Sequence, residues 1–141
     1  MVPRQLVGRD LLIGAFALAV GLPAAAQDRI TAEDFLARVN GKTVSFYSQA
    51  TGQLVGVEQF LSPRLSVWRG QENKCVYGEI TTPDGLLCFL YRDLDQTEPV
   101  CWTVFDRDGT LMALGVGRVF GDIQFARFND QDLGCPEVPL S

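Results

Sequence analysis

The chain contains no histidine. Ser-His and Cys-His nucleophile pairs are therefore excluded, the commonest metal ligand is missing, and any catalysis would rest on carboxylates. Glu58, Glu79, Asp84, Asp93, Asp95, Glu98, Asp106, Asp108 and Asp122 are the acids on offer. A hydrolase of the paired-carboxylate kind needs two of them to converge across a cleft, one with a strongly raised pKa. Most fall in turn sequences, where an acidic residue is an ordinary solvated turn former.

Cysteine is the other reactive type. Cys75, Cys88, Cys101 and Cys135 are spaced by 13, 13 and 34 residues, whereas zinc sites use Cys or His pairs only a few residues apart. No metal site is expected, and an even number of cysteines in an exported chain predicts two disulfides. Asp106-x-Asp108-Gly109 is half of a calcium-loop pattern without the remaining oxygen ligands, so it reads as a turn. Gly115-x-Gly117-x-x-x-Gly121 lacks the following helix that a dinucleotide fingerprint requires. No cofactor is expected.

Aromatic side chains are plentiful: Trp68, Trp102, Tyr47, Tyr77, Tyr91 and a set of Phe. They can fill a core or line a pocket. Strand alternation groups Trp68 with Ser66 and Arg64, leaving Leu65 and Val67 on the other face. That predicts an outward Trp68, and because large aromatics anchor interfaces, Trp68, Tyr77 and Tyr47 are the candidate ligand or partner contacts.

The elements that must position these residues follow an export signal. Arg4 and Arg9 precede an apolar run over 11–22, and Pro23 with Ala24-Ala25-Ala26 makes an A-x-A cleavage site before Gln27. Twelve apolar residues are too few to span a bilayer, which takes about 20. The expectation is a cleaved signal over 1–26 and one mature domain over 27–141, with no membrane span after cleavage, in the periplasm or alternatively secreted. That mature chain carries ten Lys and Arg against sixteen Asp and Glu. Its arginines are scattered singly, so nucleic acid is not an expected partner.

Within the domain, Thr31 is an N-cap candidate with Asp34 three residues on, Ile30 and Phe35 stand as a hydrophobic staple, and Asn40-Gly41 closes a helix of about nine residues. Short β-branched and aromatic runs follow. They predict strands over 42–48, 54–61, 64–69, 74–81, 86–91, 100–105, 110–118 and 123–128. Thr82-Pro83-Asp84-Gly85, Asp106-Arg107-Asp108-Gly109 and Ala50-Thr51-Gly52 are tight connections between sequence neighbours. The fold class is all-β: about eight antiparallel strands as a meander or small up-and-down barrel, preceded by one short helix. If the 92–99 loop folds symmetrically about Leu94-Asp95, Cys88 falls opposite Cys101, which leaves Cys75 with Cys135.

A small exported eight-stranded barrel behind a helix resembles the lipocalin or calycin architecture in outline. The resemblance is architectural: Gly41-Lys42-Thr43 stands where lipocalins carry Gly-x-Trp, so no pocket or ligand carries over residue by residue. The function expected is non-enzymatic binding, of a small apolar ligand inside the barrel or of another exported protein on its surface. The alternative is a His-free, carboxylate-based hydrolase. An enzyme should show two acids in one concave site with one pKa raised, and a binding module an apolar pocket or an exposed aromatic patch.

Overall fold

Each of eight short strands turns one face inward, and in the computed structural model those faces enclose a single closed barrel, β1-β2-β3-β4-β5-β6-β7-β8. The structure describes residues 28–136; the expected export signal and its cleavage site lie outside them. The strands are β1 Thr43–Ser48, β2 Leu54–Ser62, β3 Leu65–Arg69, β4 Cys75–Thr81, β5 Leu87–Tyr91, β6 Val100–Arg107, β7 Thr110–Val116 and β8 Ile123–Asn129. Every pairing is antiparallel, and β1 pairs with β8 from Thr43↔Asn129 to Ser48↔Gln124, so neither is left as an open edge. The up-and-down barrel expected from the turn pattern is the observed fold.

Turn chemistry sets the registers. Arg107 pairs with Thr110 across a two-residue loop in which Asp108 and Gly109 both have positive φ, 52° and 86°. That is the backbone a tight hairpin demands, and Asp106 steadies it by accepting the Gly109 N–H at 2.8 Å. The Asp106-x-Asp108-Gly109 sequence is thus a hairpin tip. Strand β7 stops at Val116, two residues short of the expected end, because the chain turns through a 3-10 segment at Gly117–Val119.

One barrel end is plugged. Helix α1, Ala32–Val39, starts at Thr31, whose hydroxyl accepts the Asp34 N–H at 3.0 Å. It buries Ala32, Phe35, Leu36 and Val39 in the same core as Val44, Phe60 and Val104. The Phe35 and Phe60 rings meet edge-on, 6.3 Å apart. An ion pair from Arg38 to Asp106 and the bond from Ile30 N–H to Val104 O hold this end against β6. Phe35 thereby becomes a floor for the space above it.

The outside of β2, β3 and β4 is covered as well. Cys75 is bonded to Cys135, and the tail is held further by Arg69 donating to Leu133 O and by Leu133 N–H donating to Gln59 at 3.1 Å. Val67, between Gln59 and Tyr77 in register, is buried although it faces away from the barrel interior. The second disulfide joins Cys88 to Cys101, which stand directly opposite each other on β5 and β6. Among the described residues, no helix is long and apolar enough to cross a membrane.

Candidate functional site

Above the α1 floor the barrel is hollow. A cavity of about 260 Å³ opens at the end opposite the helix, lined in its body by Phe46, Trp68, Leu87, Phe89, Tyr91 and Trp102. Its mouth is formed by Val55 at the start of β2, by Leu94 and Gln96 in the β5–β6 loop, and by Val119 and Asp122 between β7 and β8. A dry apolar cavity of about 150 Å³ already takes benzene, so this one has room for a small aromatic molecule with a substituent.

Two glycines make room for the aromatics. A Cβ at Gly56 would overlap Cζ2, Cη2 and Cε2 of Trp68. One at Gly78 would stand 2.8 Å from Tyr91 Cε1, with Gly78 and Tyr91 paired across β4 and β5. Both rings are laid across a neighbouring strand where no side chain competes. At the mouth, Gly115 receives the return of the chain: its N–H bonds Asp122 O at 2.7 Å, and a Cβ there would collide with Val119 O. This close approach is what places Val119 and Asp122 over the opening.

Deep in the cavity lies one carboxylic acid. Glu58 is 2% exposed and sits in register with Val44 on β1 and Trp68 on β3. Its Oε2 accepts the Tyr91 hydroxyl at 2.8 Å. Its Oε1 has no hydrogen-bond partner, and neither does the Ser66 hydroxyl on β3. Burial pushes the Glu58 carboxyl up from an ordinary 4.5 to about 7, against the smaller downward pull of the Ser66 and Tyr91 hydroxyls. The Ser66 hydroxyl thus pulls on the carboxyl from close by, although neither it nor Oε1 makes a hydrogen bond of full geometry. Burial in turn raises Tyr91 well above the ordinary phenol range, and the adjoining carboxylate adds to it.

The candidate contacts do not converge. Trp68 faces inward and lines the cavity, which corrects the expectation of an outward Trp68 on a polar face. Its polar companion Ser66 is fully buried, because this stretch of the interior carries a polar cluster of Glu58, Ser66 and Tyr91. Tyr47 is on the outer face, stacked on Phe125 at 5.5 Å with Arg127 over its ring. Tyr77 is also outward, on the tail-covered side, and its hydroxyl is buried without a partner. Cys75 and Cys135, like Cys88 and Cys101, brace the wall and do not reach the cavity.

Of the nine acids considered from sequence, Glu58 and Asp122 share this cavity. Nothing in the spacing singled Glu58 out, since its interior neighbours come from β1, β3 and β5. The Asp122 carboxylate accepts the Gln124 side-chain amide at 2.8 Å. Among the described residues, no group of three or more Cys, Asp or Glu could hold a metal ion. Comparison of the chain with protein-family models, with curated proteins and with solved structures found no match.

Proposed function

We propose that this is an exported binding protein that works in the periplasm as residues 27–141 and holds a small apolar ligand inside its barrel. The observation that carries the reading is the cavity: about 260 Å³, open at one end, floored by Phe35 and walled by aromatic and aliphatic side chains. Both disulfides are consistent with an oxidising compartment. A rigid, disulfide-braced wall also loses little entropy when a ligand enters, which favours affinity.

One observation favours the hydrolase alternative, namely that Glu58 and Asp122 line the same cavity and Glu58 is pushed up to about 7. A glycan or peptide in that space would find few further polar partners, chiefly Gln96 and Gln124. Binding therefore fits the lining better than turnover.

The test is to purify the protein from the periplasm, record its intact mass, and extract and identify small molecules that leave with organic solvent. The expected result is a mass matching residues 27–141 and a stoichiometric apolar compound that rebinds the stripped protein. Rebinding accompanied by conversion to a new product would replace binding with catalysis. Full-length chain retained in the membrane, or stripped protein that takes up none of its extract, would overturn the reading.

A further inference from the structure

The cavity is one-sided in charge. Glu58 and Asp122 are the charged residues among those lining it, and neither Lys nor Arg is among them. Its walls carry the aromatic side chains of Trp68, Trp102, Phe46, Phe89 and Tyr91. At the bottom a carboxyl oxygen, Glu58 Oε1, is buried without any donor. An orphaned buried acceptor costs free energy unless something satisfies it, and a ligand donor that reaches this depth of the cavity would do so.

We propose that the barrel takes an organic cation: a primary or secondary ammonium group on a small apolar body, with one N–H bonded to Glu58 Oε1 and the body among the Trp and Phe rings. The proposal rests on the barrel being a ligand-holding cavity. An ammonium supplies the donor that Oε1 lacks, and aromatic faces attract cations, the more so where water is excluded. A carboxylate ligand would meet no cation there, since the charged residues lining the cavity are both acids. A neutral alcohol would satisfy Oε1 without using the charge complementarity. Tyr91 keeps Oε2 occupied, so the free oxygen sets one position for the ammonium group.

Proton linkage supports the same picture. Val44 and Trp68, paired with Glu58 on β1 and β3, are uncharged; Tyr91 and Asp122 are the other ionisable side chains lining the cavity. Glu58 releases its proton only near pH 7 in the empty barrel. Below that value, binding an ammonium must expel the proton, so affinity should fall about tenfold per pH unit as pH drops and level off above 7.

Calorimetric titration of the disulfide-intact mature protein at pH 8 with 2-phenylethylammonium, 2-phenylethanol and 3-phenylpropanoate tests this. The expected result is an amine bound at least tenfold tighter than the alcohol, with the carboxylate weakest. In Glu58→Gln the amine's advantage should vanish while the alcohol still binds. Should that variant not fold, the amine-to-alcohol ratio in the unaltered protein and its pH profile decide. Equal binding of amine and alcohol, or a preference for the carboxylate, overturns the organic-cation proposal and leaves the ligand-holding barrel standing. If none of the three binds at millimolar concentration, both fall.

Discussion

The indole of Trp68 fills the space that a side chain at Gly56 would need, so these two residues on β2 and β3 define one wall of the cavity jointly. Gly56 is also the partner of Phe46 across β1 and β2, and the Phe46 and Trp68 rings lie 6.4 Å apart. Replacing Gly56 with Ala must therefore move Trp68 toward Phe46 or into the cavity. Overpacking of this kind costs about 1–3 kcal/mol. Gly56→Ala should lower the melting temperature, shift the tryptophan emission and weaken ligand binding together. Stability and emission identical to the parent's would show that the indole does not occupy this position.

Glu58 makes stability depend on pH in a predictable direction. Its carboxyl ionises near 4.5 in the unfolded chain and near 7 in the barrel. Between those values the unfolded chain has lost the proton that the folded chain retains, so rising pH favours unfolding. The loss accumulates from about pH 4.5 to about pH 7 and then stays constant, roughly 3 kcal/mol in all at about 1.4 kcal/mol for each pH unit crossed. Glu58→Gln removes this titration while keeping an acceptor for the Tyr91 hydroxyl. Denaturant unfolding at pH 5 and pH 8 should show the variant gaining on the parent as pH rises. Parallel pH profiles for the two proteins would mean that Glu58 is not held protonated.

Tyr91 acts on the same group. Its hydroxyl donates to Oε2 and so favours the ionised carboxyl. In Tyr91→Phe that donor is gone and the Ser66 hydroxyl alone is left to favour the ionised form. The Glu58 carboxyl should then ionise above pH 7, seen as a carboxylic-acid band in the infrared spectrum that persists to higher pH than in the parent. An ionisation point that stays put or drops would show that the hydroxyl does not bond Glu58.

The barrel was legible because its signals are local. Asp108-Gly109 and Pro83-Asp84-Gly85 announce tight turns, and eight period-two runs between such turns leave few other topologies. The Cys88 and Cys101 pairing was legible for the same reason, since symmetry of one hairpin puts them face to face. The site was not legible, because alternation misassigns the faces of β3. Leu65 and Val67 look like the core side, yet Val67 is buried on the outer face, beside Gln59 and Arg69, which hold a tail brought in from Cys135, far along the chain. Ser66 and Trp68 look exposed, yet they face a buried acid on β2 that no local rule predicts. A polar interior patch and an apolar exterior one together reverse the pattern, and both are products of long-range packing.

The two disulfides should differ in what they contribute. Cys75–Cys135 closes a separation of 60 residues and Cys88–Cys101 one of 13. Chain-entropy arguments assign the longer loop about 4 kcal/mol and the shorter about 3 kcal/mol. The longer bridge also keeps the tail over Val67 and Tyr77, so its loss should uncover apolar surface that the shorter bridge does not guard. Paired Cys→Ala replacements, unfolded in urea, should rank the Cys75/Cys135 variant below the Cys88/Cys101 variant. In the first, exchange of the Tyr77 and Val67 amides should quicken as well. The opposite ranking, with those amides still protected, would mean that the Arg69 and Gln59 bonds to Leu133 hold the tail without the disulfide.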